Sequence, residues 1–186
     1  MTIGFALCGS FCTYEQVFPA MEALAQKHTV IPIFSCSSGS VDSRFGTADD
    51  HLQRAREICG RSPLQTIEGV EPIGPRKMLD ALIIAPCTGN TISKLAHSIA
   101  DTPVTMAAKS QLRNGRPVIV AISTNDALAG AAENIGKLLA RKHYYFVPFG
   151  QDDPEKKPTS MVADFSKIPE TLEAALRGEQ IQPVIL

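Results

Sequence analysis

The hydrophobic residues of this chain fall into short apolar runs separated by amphipathic stretches. In the first of these stretches, Val17, Met21, Leu24 and Ala25 recur at the spacing of one helix face. Alternation of this kind is typical of βαβ units, so it predicts a single doubly wound, mostly parallel α/β sheet. The predicted strands are residues 2–7, 29–34, 64–67, 81–85, 117–122 and 144–147.

The predicted helices lie between these strands and after the last one. Gly60 follows the second helix as a C-terminal cap, and Pro32 favours an edge position for the second strand. The polar segment 151–159 is predicted to be an exposed loop or hairpin. No repeat or linker interrupts the chain, which predicts one domain over residues 1–186. The predicted helices are residues 13–27, 48–59, 76–79, 90–98, 104–113, 126–142 and 169–177.

Composition and charge narrow the class of protein. Of 186 residues, 44% are hydrophobic and 20% charged, so the chain is expected to fold. A formal net charge of -1 argues against general nucleic-acid binding, which favours a basic excess. No apolar run reaches the roughly 20 residues that span a bilayer, and the N-terminus lacks the basic segment of a secretory signal, so a cytoplasmic location is expected.

Cysteine and histidine spacing gives no metal or disulfide signal. The five cysteines lack CxxC spacing and the four histidines form no HxxxH pair, so neither a zinc site nor a disulfide framework is predicted. The histidines are expected to be surface or boundary residues. Cys87 has no histidine near it in sequence to activate it, so a nucleophilic role is not expected. No catalytic residue is assigned.

Three loops are candidates for ligand binding, because ligands of doubly wound sheets bind beyond the carboxyl ends of the strands. After the first strand, Gly9 permits close backbone approach and Ser10 offers a hydroxyl to an anion; a plain turn with a Ser or Thr helix cap is the alternative. The serine-rich segment 35–40 follows the second strand, where Ser35 and Ser37 are predicted phosphate ligands, or parts of a flexible surface loop. Asp42, Arg44 and Phe45 come next and are able to order over a ligand.

The third loop, residues 86–90, combines rigidity with backbone amides that can face a ligand. Pro86 stiffens the strand exit, and Thr88 with the following glycine lets amides face a planar ligand. Asn90 or Thr91 stands where a helix N-cap is expected. Together the three loops predict a cofactor site. Its residues are Gly9, Ser10, Ser35, Ser37, Pro86, Thr88 and Asn90.

Residues 86–96, PCTGNTISKLA, followed by Ile99-Ala100-Asp101, resemble the PASANT motif region of the flavin-containing cysteine decarboxylase superfamily. The Gly9-Ser10 turn and the serine-rich loop match the positions that hold the FMN phosphate there. The resemblance implies a Rossmann-like, flavodoxin-like three-layer sandwich, FMN as a possible cofactor and a homo-oligomer.

Two departures from that superfamily are informative. Its decarboxylases use a PxMNxxMW signature whose Asn contacts the substrate carboxylate, whereas residues 103–112 here have Lys109 near that position and no Trp. They also place a catalytic His before the third helix, where this chain has Glu71-Pro72-Ile73-Gly74-Pro75. The resemblance therefore implies a retained fold without the decarboxylase site.

A closer resemblance is to a branch whose members act as the second subunit of an oxidoreductase in sporulating bacteria. It implies a partner subunit that depends on a nicotinamide, NAD or NADP, together with a small cyclic dicarboxylate that becomes aromatic and a location in the mother-cell cytoplasm. Lys109 and Arg113, four apart on one helix face, are then candidate substrate ligands, with a solvated basic helix end as the alternative. The segments that carry this resemblance are residues 42–46, 71–75, 85–91, 106–109, 122–126 and 146–153.

Two other functions stay open at this point. The chain could be a free-standing FMN-dependent decarboxylase or an enzyme resembling flavin prenyltransferases. It could also be a non-catalytic partner that only stabilises the nicotinamide-dependent protein.

Overall fold

A seven-stranded sheet forms the centre of the protein, whose computed structural model describes residues 1–186. The strand order is β2-β1-β3-β4-β7-β6, with β5 also paired to β4. Strands β1 to β5 are parallel, and β6 and β7 are antiparallel additions, so the predicted fold class is confirmed. The strands are β1 (Thr2–Leu7), β2 (Thr29–Phe34), β3 (Ala81–Cys87), β4 (Val118–Thr124), β5 (Tyr144–Phe146), β6 (Phe149–Gln151) and β7 (Met161–Ala163).

The central strands are apolar because helices cover both faces of a doubly wound sheet. Every residue of β3 is buried, and so are all but the last residue of β4. Pro32 lies in β2 at one edge of the sheet, as predicted, where the missing N–H costs no ladder hydrogen bond.

Seven α-helices flank this sheet. Contacts join α1 to α2 and α7, and join α4 to α5 and α6. None of these helices has the length and apolar character needed to cross a membrane. The helices are α1 (Tyr14–Ala25), α2 (Ala48–Cys59), α3 (Ile67–Val70), α4 (Gly89–Ala96), α5 (Pro103–Arg113), α6 (Ala132–Leu139) and α7 (Ile168–Leu176).

Two predictions for the segment between α2 and β3 are wrong. The predicted strand 64–67 is reduced to one bridge between Leu64 and Ile33, because Thr66 caps the short helix α3 by accepting a hydrogen bond from the amide of Gly69. The predicted helix 76–79 does not form. There Lys77 has φ 48°, in the left-handed region that a helix does not use.

The predicted helix 126–142 is also too long. Residues 126–131 form turns instead, since the carbonyl of Asp126 accepts hydrogen bonds from the amides of Ala129 and Ala131. Strands β6 and β7 were not predicted, because they have three residues each and carry no clear alternating pattern. The polar segment predicted as a loop or hairpin is the connection between these two strands.

One arginine fixes the end of α4, the helix that begins at the candidate site described below. Arg141, in the turn before β5, donates hydrogen bonds to the carbonyls of Leu95 and Ala96 at 3.1 and 2.7 Å. The Leu95 carbonyl also accepts from the amide of Ser98, so the guanidinium adds a second donor there, satisfies the carbonyl of Ala96 and suits the helix dipole.

The substitution Arg141→Ala is expected to lower the free energy of unfolding by about 1–2 kcal/mol, because two charge-assisted hydrogen bonds are lost from a partly exposed position. The neighbouring Lys142 is exposed and makes no ion pair, so Lys142→Ala should change stability by no more than about 0.5 kcal/mol. Urea denaturation of both variants measures the difference, and equal midpoints would contradict this role of Arg141.

Candidate functional site

A cleft of about 640 Å³, here called the first cleft, opens at the carboxyl ends of β1, β2 and β3. The parallel pairing of β1 with both neighbouring strands brings three chain-distant loops to this edge. Five of the predicted cofactor ligands line it: Gly9, Ser35, Ser37, Thr88 and Asn90.

The serine-rich loop after β2 is held by a buried hydroxyl that sequence reasoning did not single out. Ser38 is fully buried, donates a hydrogen bond to the Leu7 carbonyl at 2.8 Å, and lies 3.0 Å from the Ser35 hydroxyl. In contrast, the Ser37 side chain is exposed at the cleft and makes no hydrogen bond within the protein. The loop is therefore anchored by one serine and presents the other. Composition alone does not distinguish the two.

Helix α4 begins at Gly89, one residue earlier than predicted, and has no side-chain cap. Its N-cap is Thr88, not Asn90 or Thr91, so that prediction is wrong. The Thr88 hydroxyl lies 3.2 Å from that of Thr91, and Thr91 donates to the Cys8 sulfur at 3.3 Å. Since neither hydroxyl reaches the backbone, the amides of the first turn remain available to an anion in the first cleft.

The turn after β1 also lacks the predicted cap. Neither Ser10 nor Thr13 accepts a hydrogen bond from a helix amide. The Ser10 hydroxyl lies 2.7 Å from the Ser123 hydroxyl instead, and Ser10 lines the second cleft described below, not the first. Pro86 is buried within β3 and lines no cleft at this edge.

An ion pair closes one side of the first cleft. Lys94 and Asp101 are 2.8 Å apart, and the hydrogen bond from Lys94 lowers the pKa of the Asp101 carboxyl. The two charges balance each other, so hydroxyl groups and helix amides determine how the cleft interacts with an anion. Both residues belong to the region 86–101 that carries the family resemblance, but their spacing in sequence does not predict an ion pair.

The buried cysteines are poor nucleophiles. Cys87 is completely buried, and burial raises the pKa of its thiol well above the ordinary value. Cys8 lines the first cleft, but burial raises its pKa to about 11. A thiolate is the reactive form, so neither residue supplies one near neutral pH.

A second cleft of about 350 Å³ adjoins the first and shares Gly9, Phe11 and Thr88 with it. One wall comes from the end of β4 and includes Ser123. Residues 43–45, in the turn 43–46 that precedes α2, line the cleft as well.

The turn 43–46 rests on a buried histidine. Gly46 has φ 127°, and a Cβ at this glycine would lie 2.8 Å from the His51 ring, so only glycine fits here. His51 is 5% exposed and lies edge-on to Tyr14, with the ring centroids 4.6 Å apart. The expectation of a surface or boundary position is therefore wrong for His51. Burial lowers the pKa of this imidazole, which favours its neutral form.

The predicted substrate ligands lie away from both clefts. Lys109 lines a small, largely apolar pocket of about 120 Å³ together with Leu95, Ile99 and Tyr144. Arg113 is exposed near the end of α5. No three His, Cys, Asp or Glu side chains are grouped to hold a metal ion.

Comparison with known proteins assigns the class. The model of the flavoprotein family matches residues 1–169, and the chain belongs to that family. The B subunit of dipicolinate synthase from Bacillus subtilis (strain 168) is 45% identical over 185 residues, which cover 99% of this chain and 92% of that protein.

Solved structures agree with this assignment. The crystal structure of the dipicolinate synthase B subunit from Bacillus halodurans C matches with a TM-score of 0.91 and 46% identity, covering 100% of this chain and 95% of the other. The FMN-dependent cysteine decarboxylase SpaF matches with a TM-score of 0.68 and 19% identity, covering 94% and 97% of the two chains, which shows a shared fold. The family resemblance found in the sequence is thereby confirmed.

The buried His51 predicts a pH-dependent stability. Its pKa in the folded protein lies below the ordinary value of about 6.5, so on acidification the unfolded chain takes up a proton that the folded protein resists. The contribution of neutral His51 to the free energy of unfolding is therefore present above pH 6.5 and is lost as the pH falls below about 6.5. We expect His51→Leu to flatten the decline of the unfolding free energy between about pH 7 and 5. Urea titrations at several pH values check this, and parallel curves for both proteins would contradict it.

Proposed function

We propose that this chain is the second, or B, subunit of dipicolinate synthase and acts with the nicotinamide-dependent A subunit in the mother cell of a sporulating bacterium. The observation that carries the proposal is the 45% identity to a protein of that name across 99% of the chain. None of the four histidines lines either cleft, which supports the absence of a decarboxylase histidine.

The reaction would convert a dihydro- or hydroxytetrahydrodipicolinate into the aromatic pyridine-2,6-dicarboxylate. A dihydro ring becomes aromatic by losing a hydride and a proton, and a hydroxytetrahydro ring also loses water. The hydride acceptor would be the nicotinamide of the partner, because this chain lacks the GxGxxG fingerprint. These steps need positioned carboxylates and an acid–base group but no protein nucleophile, in agreement with the burial of Cys87.

The first cleft fits the phosphate end of FMN. Its donors are the free hydroxyl of Ser37 and the uncapped amides at the start of α4, where Asn90 lies, and Gly9 leaves room for close approach. Its volume of about 640 Å³ is within the usual range for cofactor sites. Bound FMN would supply a two-electron redox centre. The proposed ligands are Gly9, Ser35, Ser37, Thr88 and Asn90, with Ser10 and Pro86 shaping the adjoining turn and strand.

Lys109 and Arg113 are proposed to bind a substrate carboxylate only where another protein chain completes their surface, since neither residue reaches the two clefts. A second copy of this chain or the nicotinamide-dependent partner could supply that surface. Both residues lie on α5, one helical turn apart.

The substitution Ser37→Asp is expected to weaken FMN binding at least about tenfold, because it places a carboxylate where the phosphate would lie. Ser62 is exposed and makes no side-chain hydrogen bond, so Ser62→Asp serves as the matched control with unchanged affinity. Quenching of flavin fluorescence on titration gives both dissociation constants. Equal affinities of the Ser37→Asp variant and the wild type for FMN would show that the phosphate does not bind beside Ser37.

Reconstitution with the nicotinamide-dependent partner tests the proposed function. Dipicolinate formation is expected to require this chain, and full activity of the partner alone would refute a catalytic role and favour a stabilising one. In the active complex, Lys109→Ala and Arg113→Ala are each expected to raise KM about 10- to 100-fold, the loss of one charge-assisted contact. Unchanged KM and kcat for both variants would assign these residues to a solvated helix end.

A further inference from the structure

We infer that the second cleft binds a carboxylate of the dicarboxylate substrate and that Arg44 is the residue that holds it. This inference rests on the proposed function and gives that function a substrate site. It concerns a residue that neither the motif resemblance nor the comparisons assign.

Arg44 is a cation without an acidic partner inside the protein. Its guanidinium lies 4.8 Å from the ring centroid of Phe45, and both residues line the second cleft. It makes neither a hydrogen bond nor an ion pair, so its donors are free. A guanidinium stacked on an aromatic ring keeps its planar fork, which matches the two oxygens of a carboxylate.

The lining of the second cleft favours an anion. No Asp or Glu lines it, and the side chains of Ser123 and Asn125, which line it as well, are neutral. The first cleft differs in this respect, because Lys94 there is paired with Asp101. Arg44 is therefore the one cationic residue lining the two clefts that has no acidic partner.

The backbone holds Arg44 in place at the tip of a tight turn. The amide of Ser43 donates to the carbonyl of Gly46 at 3.0 Å, and the amide of Gly46 donates back at 3.2 Å. Asp42 fixes the base of the turn by accepting a hydrogen bond from the amide of Ala48 at 2.9 Å. Anchoring of this kind lowers the entropy cost of ordering an arginine around a ligand.

The position of the second cleft suits a substrate that lies beside a cofactor. Gly9, Phe11 and Thr88 border both clefts, so molecules bound in the two would be neighbours across the turn after β1. A dicarboxylate held by Arg44 would then place its ring toward the first cleft. Lys109 does not offer this arrangement, because its pocket shares no lining residue with either cleft.

Binding of pyridine-2,6-dicarboxylate to the FMN-treated protein, measured by isothermal titration calorimetry, tests the inference. We expect Arg44→Ala to weaken binding about 10- to 100-fold, and Arg44→Lys to restore part of it because the charge remains while the bidentate fork is lost. FMN affinity should be the same in all three proteins. Arg61 is also exposed and unpaired, so Arg61→Ala is the matched control and should bind as the wild type does.

Three results would overturn the inference: no binding of pyridine-2,6-dicarboxylate to the wild type, unchanged binding to Arg44→Ala, or an equal loss of FMN affinity in that variant. The titration uses this chain alone, so its result does not depend on the synthase assay. A complex that needs this chain for activity but tolerates Arg44→Ala with unchanged KM refutes the role of Arg44 and leaves the proposed function in place. Full activity of the nicotinamide-dependent partner alone refutes the proposed function.

Discussion

The parallel pairing of β1 with β2 on one side and β3 on the other is the constraint on which the site depends. Leu7 lies opposite Phe34, and Ala6 lies opposite Ile84, so these three strands end at the same edge. The loops that follow them are separated by tens of residues in sequence yet meet around one opening. Ser38 strengthens this junction, because its buried hydroxyl ties the loop after β2 to the last carbonyl of β1.

The two clefts at this edge use different means to attract an anion. The first relies on hydroxyl groups and on the amides of α4, whose far end is fixed by Arg141, while the two charged residues that line it, Lys94 and Asp101, form an ion pair. The second offers a full positive charge on a short, well-anchored turn. The first cleft therefore suits a molecule with a phosphate and a redox-active ring. The adjoining second cleft suits a molecule with carboxylates.

Much of this arrangement could be predicted from the sequence, because buried parallel strands leave continuous apolar runs and their carboxyl ends mark the binding edge. The helix start at Gly89 could not, since Thr88 and Thr91 bond to each other and to Cys8 across the fold instead of capping locally. The burial of His51 could not be predicted either, because it depends on three aromatic side chains from α1 and the preceding turn. Spacing on one helix indicated Lys109, and the position of Arg44 after the serine-rich loop indicated that it could order over a ligand. The tertiary structure shows that Arg44 lines a cleft at the binding edge and that Lys109 does not.

The edges of the sheet constrain how this protein can assemble. Along β2, Pro32 has no N–H, and Leu64 donates to its carbonyl and accepts from the amide of Phe34, so the hydrogen-bonding groups there are used. Backbone groups of Val184 and Leu186 likewise bond to Phe149 on the outer side of β6. A further strand therefore finds no open row of donors and acceptors at these positions. At these positions contacts with other protein chains fall to side chains and loops, which guards this part of the sheet against edge-to-edge aggregation.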